Sequence, residues 1–546
     1  MTNFIFQTVT SKLFTIKSSL ESSDVSLVQR SKARSMNNFQ IIVFRSVNER
    51  HFRGTKGDTG CLNDPNRRRR AYLGELVRNV IAIGLILAFS MIFPDVHFAE
   101  EAATAGVKNS VPNLWTRPVG HDWPRMLGPR SDGTSDERNP ISDWSNGKLK
   151  IKWFEETGVG YGNCVVAKGR CFQWDRFGNQ ERLTCRNAET GSTLWSWSSP
   201  VQYEDSFGYN NGPRSSPVVD EDLVFVSGVD GTLAAIQVVD GKEVWKRATN
   251  EVYGVKQNFF GVGSTPCVFK DLLIFMIGGS SRNATSSAIV AFDKLTGKEV
   301  YRVGRYLASY SAPIIAEFKK EPWCLAFVRE GLLAFDPRNG EREVFFPWRA
   351  RVFESVNAAW PVVSGDKIFI SETYEIGAAL LQFDGKSLTP VWLDQGSAKR
   401  QSWRAHWATP VLYKGHLFGC SGRNEPDADF RAIQLDNGKV DWTHRNHDRT
   451  SALLVDDKLI VIGEHGLLQM VAADTTSFQV TTEVDLGAEM KDFPIESLSK
   501  KDIAKKEVDP SQSLLESPVW APPTLSHGLL YLRGKNRLVC LELIPQ

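Results

Sequence analysis

Ser215 to Trp245 reads SSPVVDEDLVFVSGVDGTLAAIQVVDGKEVW. Four short apolar runs stand in it: SPVV, DLVFVSG, TLAAIQV and KEVW. The third follows Asp230-Gly231 and the fourth follows Asp240-Gly241. An Asp-Gly pair between apolar runs marks a tight hairpin, because glycine tolerates the positive φ of a primed turn. The stretch is therefore an antiparallel unit of four strands, and such a unit cannot bury both of its faces alone.

The unit recurs along the chain. Copies begin at Asn163, Ser215, Ser264, Ser311, Ala359, Ala408, Ser451 and Ala521. Pro217, Pro266, Pro313, Pro361 and Pro410 mark the first strands, at intervals of 47 to 49 residues. A second marker lies in the fourth strand: Gly191, Gly241 and Gly438 stand four residues before Trp195, Trp245 and Trp442, and Gly297 stands likewise before Tyr301. This regularity accounts for part of the 16 Trp in a chain with only 7 Met. We expect Trp153, Trp195, Trp245, Tyr301, Trp392 and Trp442 to dock each unit on its neighbour, where a large ring buries much area. Eight such units in a circle make an all-β, eight-bladed β-propeller. The last unit ends at Glu542 without a fourth strand, and an orphan strand, Lys148 to Glu155, precedes the first. An N-terminal strand completing the last blade would remove the exposed edges. The charged stretch near 489–517 reads as a surface insertion, partly helical over Ser497 to Lys506.

AFDKLTGKEVY (Ala291–Tyr301), its Trp-ending variants and the S-x-P-V strand resemble pyrroloquinoline quinone (PQQ) repeats. The segment from Trp123 to Gly133, WPRMLGPRSDG, is similar to the lead-in of many exported bacterial propellers of this kind. From about residue 123 to the end, the chain resembles the quinoprotein alcohol dehydrogenase-like superfamily. That resemblance implies the fold and leaves the activity open. It includes both PQQ-dependent dehydrogenases and the non-catalytic propeller of the outer-membrane assembly machinery.

Loops entering the innermost strands should ring one mouth of the central channel. They carry Asn211, Arg214, Phe260, Tyr310, Asn357, Trp360, Trp403, Arg404, His406, Trp407, Asp448, Arg449 and Trp520. Aromatic rings and arginines are the material of recognition surfaces. The first reading is thus a binding or scaffold module for a protein or cell-envelope component. The alternatives are a PQQ-dependent dehydrogenase and a carbohydrate or peptide binder. The resemblance implies that an enzyme would use an Asp base, a Ca²⁺ held by Glu, Asn and Asp, a Trp under the quinone and nearby Arg. Asn357, Asp448, Arg214 and Arg449 with Trp360 or Trp407 could supply such a set, but nothing in their spacing fixes roles. The adjacent cysteine pair that covers the quinone in many such enzymes is missing. Neither a metal-ligand spacing nor a C-x-x-C occurs, and Cys171 and Cys185 fall on neighbouring strands.

The composition, 42% hydrophobic and 23% charged, is that of a globular protein. Residues 1–80 carry 14 Lys and Arg against 6 Asp and Glu, which leaves a mildly acidic body with no electrostatic reason to bind nucleic acid. Those basic residues precede the apolar run Val80–Phe93, and Ala103-Thr104-Ala105 follows it. We expect 67–105 to be a signal peptide, or else an anchor spanning 79–93, giving an exported, periplasmic or envelope protein. Residues 1–66 read as an unstructured extension or a start assigned too early, and 106–140 as the lead-in to a propeller at 141–546.

Overall fold

The computed structural model describes residues 111–255, 259–278, 287–355, 357–397, 400–445, 447–493, 509 and 511–546. The extension, the signal or anchor, and the helix expected over 497–506 lie outside these residues. Among the described residues no helix is long and apolar enough to cross a membrane.

Eight antiparallel sheets follow one another along the chain, each a blade of the expected propeller. Blades 1 to 7 span 165–200, 218–248, 267–303, 314–347, 362–393, 411–445 and 450–485, and within each the strands pair in chain order. Blade 8 holds three consecutive strands over 524–542 and takes its outer strand from Lys150–Glu156, which runs antiparallel to Arg537–Glu542 with Trp153 opposite Cys540. First strands of neighbouring blades touch: Val165–Ala167 meets both Val218–Asp220 and Thr524–Ser526. These strands therefore line the channel axis. Both faces of each inner sheet are covered, so the second and third strands are buried almost throughout, as in Leu223–Ser227 and Leu332–Phe335.

The fourth-strand rings form the seams. Trp153, Trp195, Trp245, Trp392 and Trp442 each donate the indole N–H to a carbonyl of the following blade: Ala188, Val238, Lys294, Leu435 and Asp474, at 2.8–3.0 Å. The Tyr301 hydroxyl does the same to Pro337 at 2.7 Å. The turn glycines are required at these places. A Cβ on Gly241 or Gly297 would stand 2.6 Å from the Trp195 or Trp245 ring, and both residues have positive φ, +75° and +65°. The outer strand of blade 4 holds no Trp or Tyr, but Trp348, just after it, donates to the Gly377 carbonyl of blade 5 at 3.3 Å. Trp323, from the second strand of blade 4, fills that seam edge-on to Phe383 of blade 5 at 4.7 Å, with Arg342 over its face.

The lead-in crosses the channel. Trp123 pairs with Val166 of blade 1, the Pro124 carbonyl accepts from Val219 of blade 2, and Leu127 joins the cluster of Ala312 and Ile314 in blade 4. Thr134–Ser135 then adds in parallel to blade 7, while Ser526 of blade 8 donates to the His121 carbonyl at 2.8 Å. A segment that touches blades on opposite sides of the ring must cross its axis, so Trp123 to Ser135 stoppers one end. Flanking polar groups pin it. Arg117 donates to Glu542 and to the His527 and Ile544 carbonyls, and Glu137 accepts from the His527 and Gly528 amides.

All seven described cysteines are buried free thiols. Cys171 and Cys185 do lie on adjacent strands, but Cys171 stands opposite Arg186 and Cys185 opposite Phe172. Alternation then points them to opposite sheet faces, out of reach of each other.

Candidate functional site

At the unstoppered mouth lies a cavity of about 260 Å³ whose floor includes Met126 and Leu127 of the crossing segment. The loops entering innermost strands supply most of its wall: Tyr161, Arg214, Phe260, Tyr310, His406, Trp407, Arg449 and Trp520. The innermost strands fix where these loops end, at the rim of the channel.

Two arginines in this wall are already bound. Arg214 donates to Asp205 at 2.8 Å and to the Gly212 and Asn210 carbonyls, and it lies within 6 Å of the Tyr161, Tyr203 and Phe260 rings. Arg449 grips Glu464 with two N–H groups while lying over both Trp407 and Trp520, at 4.9 and 5.0 Å. Trp520 also donates to Glu464 at 3.0 Å. Burial alone would raise the Glu464 carboxyl, but the Arg449 and Trp520 hydrogen bonds prevail and hold it below its ordinary value. His406, tucked beside Trp407, is pushed down to about 3 by burial and by the nearby Arg449 and Arg423, so its ring is neutral.

Several residues expected at the mouth lie elsewhere. Trp403 is fully buried, edge-on to Phe369 in the blade 5 core, and Trp360 packs in the apolar cluster of Leu127 and Ala312. Asn357 is buried too, with its amide donating to the Val328 carbonyl. Asn211 braces the neighbouring loop by accepting from the Asp205 amide, and Arg404 forms a two-pronged pair with Asp427. Asp448 lies against Gly463. None of these six lines the cavity. The reason is common to them: the repeat period locates where a loop enters a strand, not which way each loop side chain turns.

Sequence reasoning missed Tyr374, Arg423 and Asn424, which also line the cavity. They sit in the connections between second and third strands of blades 5 and 6, Glu372 to Gly377 and Ser421 to Asp429. Those connections open on the same face as the loops entering first strands. Their extra length relative to the Asp-Gly turns was the available signal. A shelf of exposed rings borders the cavity on the side of blades 1 to 4. Phe207, Tyr209 and Phe353 are 55%, 64% and 71% exposed, and Phe259 and Phe260 link them at 5.0–6.0 Å. The loop carrying Phe353 is anchored by Glu372, which accepts from Ser355 and from the Ala350 amide; burial raises this carboxyl to about 7.

Among the described residues no carboxylate lines the cavity, and Asp205 and Glu464, the acids beside it, are each held by an arginine. The described residues lining the cavity thus offer no carboxylate to a quinone-bound Ca²⁺ or as an Asp base. Glu425, Glu464 and His465 come together nearby, but Glu464 belongs to Arg449, and Glu425 pairs with His465.

The sequence matches the family model described as outer membrane protein assembly factor BamB over residues 142–301, 179–345 and 285–543. No curated protein sequence matches the chain. Among solved structures, quinohemoprotein alcohol dehydrogenase from Comamonas testosteroni is 13% identical, with 78% of this chain and 82% of that one covered and a TM-score of 0.48. BamB from Moraxella catarrhalis is 13% identical over 71% and 85% of the two chains, with a TM-score of 0.34. Quinohemoprotein alcohol dehydrogenase ADHIIG from Pseudomonas putida HK5 is 12% identical over 77% and 80%, with a TM-score of 0.41. Since the family matches run from the strand before blade 1 to the last strand of blade 8, the chain belongs to the family of PQQ-like repeat β-propellers that this model describes.

Proposed function

We propose that the propeller is an exported, non-catalytic recognition module that binds a protein component of the cell envelope through its unstoppered mouth. The observation that carries this reading is the mouth's chemistry: aromatic and arginine side chains, with no carboxylate among the described residues of the wall. Such a surface offers stacking area and donors for a partner, and its described residues offer no carboxylate as base or as hard-cation ligand. The stopper beneath supports the same reading, because a blind cavity is a seat and not a passage. The family description, an outer membrane assembly factor, agrees with a protein partner. Export would be driven by residues 67–105.

The PQQ-dependent dehydrogenase is the competing reading, and one experiment separates the two. The purified protein is incubated with PQQ and Ca²⁺, desalted, and assayed for quinone absorbance and for alcohol-dependent dye reduction. Neither is expected. Retained quinone with turnover would overturn the proposal.

A further inference from the structure

At the mouth, Arg423 forms no ion pair with an acid among the described residues. Arg423 is exposed, its guanidinium lies 4.6 Å over the Tyr374 ring, and its side chain donates to no group among the described residues. The acids on its own loop and the nearby Glu464 are engaged elsewhere. Glu425 pairs with His465, Asp427 with Arg404, and Glu464 with Arg449. The loop that presents Arg423 is nevertheless fixed in place. Asp427 accepts two bonds from Arg404 at 2.8 Å and one from the Arg423 amide, and the Arg423 carbonyl accepts from Arg449. A pre-set arginine with its donors unspent, beside an apolar hollow, is complementary to a carboxylate attached to an apolar group.

The cavity, about 260 Å³, has room for one large side chain or a small ligand of that size. The exposed rings of Phe207, Tyr209 and Phe353 continue the apolar surface well beyond the cavity. That shelf has no use for a ligand confined to the hollow, and it suits a chain lying across the mouth.

We infer that the mouth takes an acidic protein segment, which seats one aromatic or large aliphatic side chain in the cavity and places an adjacent Asp or Glu carboxylate on Arg423. The inference rests on the recognition reading above and names the partner's chemistry.

Two pools of end-blocked nonapeptides test it in calorimetric titrations of the full chain. Both have Phe at the centre and randomised outer positions; one has Asp or Glu flanking the Phe, the other Asn or Gln. The acidic pool should bind ~10-fold more tightly, the worth of a charge-assisted hydrogen bond. Arg423→Gln should abolish that difference while leaving the melting temperature unchanged, because the side chain is exposed. N-acetylphenylalanine alone should bind more weakly than the acidic pool. Equal affinity of the two pools, no binding by either, or an unchanged preference in Arg423→Gln would overturn the inference. So would N-acetylphenylalanine binding as tightly as the peptides, which would make the mouth a small-molecule site. These failures leave the recognition reading standing, since that reading falls only on quinone retention with turnover.

Discussion

The seams between blades and the mouth of the channel are built from the same aromatic side chains in opposite circumstances. At a seam, Trp245 lies flat on Gly297, its N–H donates to the Lys294 carbonyl, and it is buried. At the mouth, Trp407 and Trp520 stand beside each other at 4.9 Å under the Arg449 guanidinium, half-buried at the cavity wall. A ring committed to a neighbour's backbone stabilises the fold. A ring left at the wall beside an arginine is available to something outside the chain. Residue type does not separate the two roles; the partner of the polar edge and the cover over the face do.

Breaking a seam should cost most. Trp245→Ala is expected to destabilise by ~3–5 kcal/mol, as loss of a large buried aromatic does, and denaturant unfolding measures it. Trp442→Ala should cost less, since that ring is only half-buried. Gly297→Ala should cost ~2 kcal/mol, from a positive φ and a clash with the Trp245 ring. In the Trp245→Ala background the clash vanishes and only ~1 kcal/mol should remain, so a double-mutant cycle isolates the contact.

A third test concerns Glu181, which accepts from the Val229 amide across the seam of blades 1 and 2 and which burial pushes up to about 8. Its folded value lies above its unfolded one, so the folded state binds the extra proton between about pH 4.5 and 8. Its contribution is complete below that window and is lost as pH rises through it, at no more than ~1.4 kcal/mol per pH unit. Glu181→Gln should flatten the pH dependence of stability there; an unchanged profile would mean that Glu181 is ionised in the fold. At the mouth, Tyr209→Ser and Phe353→Ser should change stability by less than ~0.5 kcal/mol while weakening peptide binding. A large loss of stability would move those rings to the structural side of the comparison.

This contrast also explains what could be read from the sequence. Pro217 to Pro410 and the Gly-to-Trp spacing are imposed by packing between identical neighbours, so they repeat and can be counted. The eight blades and the docking rings followed from them. The mouth has no such constraint. Trp360 and Trp403 stand just ahead of innermost strands, as Trp407 and Trp520 do, yet they turn into the core. Tyr374 and Arg423 lie in connections whose direction depends on hydrogen bonds such as that between Arg404 and Asp427. Those bonds join residues far apart in sequence and leave no period behind.

The stopper also sets an order of events in folding. Arg117 and Glu137 find their partners in Glu542 and Gly528, and Thr134 finds its own in Leu454, more than three hundred residues later. The first part of the domain to be synthesised is thus among the last to be satisfied. Until blade 8 exists, Arg117 and Glu137 lack their partners, and the strand around Trp153 has no edge to join. Contacts so distant in sequence make assembly slow, and an unfinished ring exposes strand edges for that whole interval. The propeller locks only when residues 117–156 meet blade 8, so deletion of either segment removes more than the residues deleted.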